Sequence, residues 1–140
     1  MLTRRLAILL LGLVTACDVS DDREIALGRA NAEQIDAKLP LVTDSAITAY
    51  VQALGQRIAS RTGRAELPWH FTVVNSPELN AFALPGGFVY VNRGLIEHSE
   101  RMDELAGALG HEIGHVVRRH AVQQLKRTGG TPSALHYCVR

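Results

Sequence analysis

The residues best suited to chemistry are His111-Glu112-Ile113-Gly114-His115, an H-E-x-x-H motif. On a helix, histidines four positions apart lie on one face, and their imidazole nitrogens can bind one Zn²⁺ ion at about 2.0–2.1 Å. Glu112 would not bind the ion but would take a proton from a zinc-bound water, which then attacks a carbonyl that the metal polarises. The competing interpretation is a solvated helix face on which the two histidines occur by chance.

The sequence around the motif favours a helix, as this chemistry requires. Apolar residues recur at close to helical period between positions 102 and 125. Ser99 is a candidate N-cap, Asp103 and Glu104 suit a first turn, and basic residues follow in the second half. We therefore predict a helix across residues 102–125 that carries the motif.

Three glycines lie along one side of this predicted helix, at Gly107, Gly110 and Gly114. Each costs up to about 1 kcal/mol relative to alanine in a helix interior. A face without side chains lets a substrate or another backbone come close, so the glycines favour a functional surface beside the motif. The alternative is a tight crossing with another helix.

The composition indicates one folded domain. The chain has 140 residues, 46% of them hydrophobic, which is enough for a core. The net charge is +1, which argues against nucleic acid as the main partner. The charge is unevenly spread, because no acidic residue follows Glu112.

Residues 1–16 resemble a targeting segment rather than part of the fold. A basic pair at positions 4 and 5 precedes a nine-residue apolar run, which is too short to span a membrane. The run ends in Val14-Thr15-Ala16-Cys17, which resembles a bacterial lipobox. That resemblance implies cleavage before Cys17 and its lipidation, so that the protein is anchored to a membrane without spanning it. The alternative is a plain signal peptide followed by a chance cysteine.

Between the targeting segment and the motif we predict two scaffold helices and two strands. The first helix covers residues 21–38, and the second begins after a cap at Thr43 or Asp44 and carries an amphipathic stripe as far as residue 58. A polar loop over residues 61–67 leads to a strand at 69–74. The turn Pro85-Gly86-Gly87 precedes a second strand at 88–91.

Read with these segments, the chain resembles the HExxH zinc metallopeptidases that include the CAAX prenyl proteases, the HtpX membrane proteases and the periplasmic BepA-like proteins. The resemblance covers about residues 23–125. The matching stretches are Asn80-Ala81-Phe82-Ala83-Leu84-Pro85-Gly86-Gly87, Val89-Tyr90-Val91, Gly94-Leu95-Ile96, Glu104-Leu105-Ala106-Gly107, His111-Glu112-Ile113-Gly114-His115-Val116 and Arg119-His120.

The resemblance implies a mostly helical, zincin-like (gluzincin-type) α+β domain over residues 17–127, with a small sheet beside the active-site helix. It implies one zinc ion per chain, held by His111 and His115, with Glu112 as catalytic base. It also implies that an edge strand lies along the cleft and pairs with an extended protein or peptide substrate. The residues matching that strand are Gly87, Phe88, Val89, Tyr90 and Val91.

The sequence departs from the family pattern at the third zinc ligand, a glutamate on a later helix. No acidic residue follows Glu112, so we expect this ligand and the C-terminal part of the domain to be missing, with 128–140 an irregular tail. The candidate substitutes are His120, His136, Tyr137 and Cys138. On a continuous helix His120 lies about 140° around from His115, so we predict that it points away from the metal.

These expectations define three hypotheses. The first is a zinc metalloendopeptidase of the bacterial cell envelope, a periplasm-facing lipoprotein acting in protein quality control. The second is a catalytically inactive, chaperone-like lipoprotein that binds extended polypeptide through its edge strand. The third is a truncated product without a stable fold, whose uncovered apolar helix faces would favour aggregation.

Overall fold

The computed structural model describes residues 19–127, which form five helices and a three-stranded sheet. Cys17 and three of the candidate substitute ligands, His136, Tyr137 and Cys138, lie outside these residues. Within residues 19–127, no helix combines the length and the apolar character needed to cross a bilayer. The α+β architecture predicted from the resemblance is confirmed.

Two capped helices begin the described part of the chain. Helix α1 (Asp21–Asp36) starts at Ser20, whose side chain accepts a hydrogen bond from the Arg23 N–H. Helix α2 (Ser45–Ala59) starts at Asp44, whose carboxylate accepts from two backbone N–H groups of the first turn. Such caps satisfy donors that have no partner within the helix. Both helices were predicted, and Asp44 is the cap of the second.

The sheet has the strand order β1–β3–β2. Strand β1 (His70–Val74) pairs in parallel with β3 (Phe88–Asn92), and β2 (Ala81–Leu84) pairs antiparallel with β3. The turn between β2 and β3 contains Gly86 and Gly87 at φ of 77° and 100°, a region that favours glycine. Strand β2 was not predicted, because alanine is depleted in strands and its four residues give little alternation.

The predicted position of the substrate-binding strand is wrong. Residues 87–91 were expected to form an edge strand, but β3 is central, since it pairs with β1 on one side and β2 on the other. All five residues of β3 are buried. The backbone groups of Phe88, Val89, Tyr90 and Val91 are committed to the two ladders, so these residues do not offer an edge to a substrate strand. Gly87 lies in the turn before β3, and its carbonyl accepts from the His70 N–H. The strand at the edge is β2.

The main core lies between the sheet and helices α2 and α4. Helix α4 (Met102–Val117) contributes its buried apolar stripe, and β3 contributes the central strand face. The buried members include Val51, Phe71, Val73, Val89, Val91, Leu105, Leu109, Ile113 and Val116. Helix α1 packs on a second cluster with Leu84, Phe88 and Tyr90. Both faces of the sheet are therefore covered by helices, and α4 is fixed beside β2.

The predicted helix over residues 102–125 is interrupted. Helix α3 (Arg93–His98) precedes α4, whose N-cap is Arg101 rather than Ser99. Helix α4 ends at Val117, and α5 (His120–Arg127) begins three residues later. Between them Arg119 has a φ of 56°, in the left-handed region that stops a right-handed helix. This break changes the position of His120.

Candidate active site

Helix α4 carries the H-E-x-x-H motif, as predicted, and packing fixes which side of the helix faces outward. Leu109 and Ile113 are buried in the core, so His111 and His115 lie on another face. His111 is exposed, whereas Glu112 and His115 are half-buried. The Nε2 atoms of the two histidines lie 3.0 Å apart. One turn of helix therefore brings the two ring nitrogens together without help from another element.

The separation of these nitrogens fits two positions of a metal site. Two ligands at about 2.0–2.1 Å from one tetrahedral zinc ion are about 3.3 Å apart, close to the observed distance. Among residues 19–127, no group of three or more His, Cys, Asp or Glu side chains is arranged to hold a metal ion. The spacing of His111 and His115 would suit two ligand positions of one metal ion.

Glu112 lies in a less polar environment than an exposed carboxylate. Burial raises its pKa, and the electrostatic effect of the neighbouring His111 opposes this rise. A carboxylate with a raised pKa binds a proton more readily, which suits a general base that must accept one from a nearby water. Glu112 and His115 both line a small cavity of about 50 Å³ beside β2.

His115 has the opposite shift. Burial lowers its pKa, and the neighbouring His111, His120 and Arg118 lower it further. All of these effects favour the neutral imidazole, which is the form that can bind a metal ion. The environment of His115 therefore keeps it ready to act as a ligand.

His120 contacts His115, a contact that the sequence did not predict. Its Nδ1 lies 2.7 Å from the Nδ1 of His115, and the two rings meet edge-on with centroids 4.8 Å apart. The sequence analysis assumed a continuous helix, on which His120 and His115 would not meet. Because the chain turns at Arg119, His120 is brought back against His115. It contacts the ring nitrogen opposite the one that faces His111.

A buried ion cluster, which sequence reasoning missed, surrounds this turn. Glu24 of α1 is fully buried and accepts two hydrogen bonds from Arg64, at 2.9 and 3.0 Å. The Arg119 Nε lies 2.9 Å from Glu24 Oε2, an ion pair whose angle is poor for a hydrogen bond. Gly86 N–H donates to the same carboxylate. Arg64 also donates to the carbonyl oxygen of Val116 at the end of α4.

A signal for this cluster was present in the spacing of α1. Glu24, Gly28, Asn31 and Ala32 lie at i, i+4, i+7 and i+8, and all four are buried. A glutamate in the buried stripe of a helix needs a partner, because a lone buried charge is strongly unfavourable. The spacing could therefore have identified Glu24, but not the arginines that pair with it.

The edge strand β2 lies beside the motif. Ala83 and Leu84 line the same cavity as Glu112 and His115. Asn92 N–H donates to the Asn80 carbonyl, so Asn80 and Asn92 form a hydrogen-bonded pair. Hydrogen-bonded and non-hydrogen-bonded pairs then alternate along the antiparallel ladder. In that alternation the N–H and C=O groups of Ala81 and Ala83 point to the outer edge of the sheet. These groups therefore point toward the position that a further strand would occupy.

The glycines of α4 leave an open face. Apart from its chain neighbours and the backbone of its own helix, a Cβ atom added at Gly107, Gly110 or Gly114 would meet no atom of the described residues within 4 Å. The tight helix crossing considered as an alternative is therefore not formed within residues 19–127. The face remains accessible beside the histidine pair.

An H-E-x-x-H helix packed beside the edge strand of a small mixed sheet is the arrangement expected of an α+β metallopeptidase. Sequence comparison agrees, because residues 45–140 match Peptidase family M48. The chain belongs to this family.

The chain is also similar to individual curated proteins. It is 34% identical over 116 residues to the beta-barrel assembly-enhancing protease of Yersinia pestis, a match that covers 83% of this chain and 24% of that protein. Identity to the protein of the same name from Escherichia coli K12 is 32% over the same shares. The mitochondrial metalloendopeptidase OMA1 of Schizosaccharomyces pombe is 38% identical over 81 residues, covering 58% of this chain and 24% of its own length. The chain thus spans about a quarter of the length of these relatives.

Proposed function

We propose that this chain carries the histidine–glutamate part of a zinc-dependent endopeptidase site. The observation that carries the proposal is the pair of Nε2 atoms, on His111 and His115, held 3.0 Å apart beside a half-buried Glu112. One zinc ion per chain suits two imidazole ligands in a hydrolase, which needs no redox change. When bound, the ion would polarise the scissile carbonyl and acidify a water molecule.

Glu112 would hold and deliver the proton in this reaction. Its raised pKa lets it take a proton from the attacking water and later give it to the leaving amine. His111 and His115 would fix the position of the metal on the same helix, one turn apart. Since α4 is anchored in the core by Leu105, Leu109 and Ile113, these groups would keep their relative geometry through the reaction.

The substrate would bind along β2 rather than β3. The outward N–H and C=O groups of Ala81 and Ala83 can pair with an extended polypeptide, which would then lie next to the motif, since Ala83 and Glu112 line the same cavity. Main-chain pairing of this kind is sequence-tolerant, because it uses groups that every residue has. It suits a protease that acts on unfolded or misassembled proteins.

The site of action that we propose is the bacterial cell envelope, facing the periplasm. Two relatives are named beta-barrel assembly-enhancing proteases, and this name supports a role in protein quality control there. The lipobox-like residues before Cys17 support attachment to a membrane by a lipid. Cys17 lies outside the described residues, and labelling with a radioactive fatty acid, compared with Cys17→Ser, would test the anchor.

Zinc analysis and proteolysis of the same preparations test the function. The full chain is dialysed and its zinc content measured, beside His111→Ala and a His98→Asn control on α3. Cleavage of an unfolded protein such as casein is then followed with and without chelator, and in Glu112→Gln. One zinc per chain that His111→Ala loses, with cleavage that Glu112→Gln abolishes, would support the proposal. Retention of zinc by His111→Ala would overturn the metal site.

The second candidate is a chaperone-like binding protein. The outward edge of β2 favours it, because strand pairing needs no metal. Binding of a fluorescent extended peptide that survives both chelation and Glu112→Gln, without cleavage, would support this function. Loss of that binding on zinc removal would count against it.

A further inference from the structure

His115 is the middle member of a row of three histidines. Its Nε2 contacts the Nε2 of His111, and its Nδ1 contacts the Nδ1 of His120. A neutral imidazole has one N–H donor and one bare acceptor nitrogen. The two contacts therefore run in one direction along the row. Either His111 donates to His115 and His115 donates to His120, or both bonds run the opposite way.

Metal binding excludes the second direction, and it also replaces the bond between His111 and His115, because both Nε2 atoms must then be bare. A ligand nitrogen must offer its lone pair, so the His115 Nε2 must be bare and its proton must lie on Nδ1. We propose that His120 is a positioning residue, which accepts this Nδ1–H and so fixes both the tautomer and the ring orientation of His115. The inference rests on the metal site of the proposed function.

The geometry separates this role from that of a third ligand. His120 contacts the nitrogen of His115 opposite the one that faces His111, so it lies on the far side of the ring from the shared metal position. Ligand histidines commonly donate their second N–H to an acceptor that orients them, and losing that acceptor typically weakens metal binding about 10–100-fold. In this chain the acceptor is another histidine rather than a carboxylate or a backbone carbonyl.

The turn at Arg119 gives His120 this position. Arg119 is non-glycine at a φ of 56°, a left-handed conformation that is unfavourable for residues with a Cβ atom and needs support from its surroundings. That support comes from Glu24, whose carboxylate pairs with Arg119, and from Arg64, which binds both Glu24 and the last turn of α4. The buried ion cluster therefore holds the backbone from which His120 reaches His115.

Substitutions at position 120 test the role. His120→Ala removes the acceptor, whereas His120→Asn retains a polar side-chain atom close to the position of Nδ1. The matched control is His98→Asn, which changes a histidine on α3 whose Nδ1 contacts the Gly94 carbonyl oxygen. For each full-length variant, the zinc dissociation constant is measured by chelator competition. The His115 tautomer is read in the metal-free protein from ¹⁵N–¹H couplings of the ring, and urea unfolding reports folding.

We expect His120→Ala to weaken zinc binding about 10–100-fold and to shift the His115 proton away from Nδ1. His120→Asn should retain most of the zinc affinity and keep the proton mainly on Nδ1. An unchanged tautomer and affinity in His120→Ala would overturn the inference while leaving the metal site intact. A loss of zinc binding in His120→Ala as complete as in His111→Ala would also overturn it, since His120 would then be a ligand. If zinc binding is insensitive to His111→Ala, the proposed function fails, and the tautomer of the metal-free protein still decides whether His120 positions His115.

Discussion

Glu24 and Arg119, which are 95 positions apart in sequence, form an ion pair with Oε2 2.9 Å from Nε. Glu24 has no exposed surface, and Arg64 closes the other side of its carboxylate. The pair joins the first helix of the described chain to the turn that follows the H-E-x-x-H helix. Helix α1 was interpreted from the sequence as scaffold only, yet it contributes a wall residue to the cavity of Glu112.

Replacement of Glu24 by glutamine should destabilise the protein strongly. The substitution leaves two arginines facing a neutral amide in a buried position, and breaking a buried ion pair costs about 3–5 kcal/mol. Urea unfolding followed by circular dichroism would measure the change. Asp22→Asn is the matched control, because Asp22 is exposed in the first turn of the same helix. If the free energy of unfolding falls no further in Glu24→Gln than in this control, the ion cluster contributes little to stability.

Arg119 offers a test in which glycine should be better tolerated than alanine. Both substitutions remove the ion pair with Glu24, but only glycine adopts a φ of 56° without steric cost. We expect Arg119→Gly to unfold at higher urea than Arg119→Ala, by about 1 kcal/mol in the free energy of unfolding. The reverse order, which is usual within helices, would mean that the chain does not make a left-handed turn there.

Tyr90 should make the protein sensitive to alkaline pH. Burial raises its pKa above the ordinary range, and the hydrogen bond that its hydroxyl donates to Asp36 raises it further. Since the folded pKa is raised, the stability it contributes is present below pH about 10 and is lost as pH rises through the folded pKa, at up to about 1.4 kcal/mol per pH unit. Urea unfolding at pH 9, 10 and 11 should therefore show that the free energy of unfolding falls less steeply with pH in Tyr90→Phe than in the native sequence. Tyr50→Phe, which alters an exposed tyrosine, is the control, and an equal slope in all three proteins would contradict the assignment.

Ala83→Pro tests the outer edge of β2. Proline removes the Ala83 N–H, which points away from β3, so the ladder between the two strands should survive. Loss of one main-chain hydrogen bond should weaken the binding of an extended peptide by roughly 2–10-fold, corresponding to about 0.5–1.5 kcal/mol. Fluorescence anisotropy with a labelled peptide would measure this change, and circular dichroism would confirm folding. Unchanged peptide affinity in a folded Ala83→Pro protein would show that substrates do not pair with β2.

The sequence predicted those parts of the molecule that local patterns determine. Amphipathic stripes and caps located α1 and α2, β-branched residues located β1 and β3, and the motif with its flanking residues located α4. The order of strands was not predictable in this way, because β3 is central only through pairings with β1 and β2 that have no local signal. The resemblance placed the edge strand at β3, whereas β2, the preceding strand, lies at the edge.

The break between α4 and α5 was missed for a similar reason. Arg118 and Arg119 favour a helix locally, and no glycine or proline marks the turn. The left-handed residue pairs with Glu24, and Arg64 binds both Glu24 and the Val116 carbonyl before the turn; Glu24 and Arg64 are distant from this turn in sequence. The position of His120 depends on that turn, so its contact with His115 became evident only in three dimensions.

The Glu24–Arg119 pair has a consequence for how the protein opens. A buried carboxylate shared by α1 and the α4–α5 turn makes the two segments depend on one another, since separating either one leaves an unpaired charge in the interior. The backbone amides of α1 and of α5 should then exchange with deuterium as one cooperative unit, although they stand at opposite ends of the described chain. Local unfolding of the first helix would in this way release His120, and metal affinity would be set in part by the stability of a helix that holds no ligand.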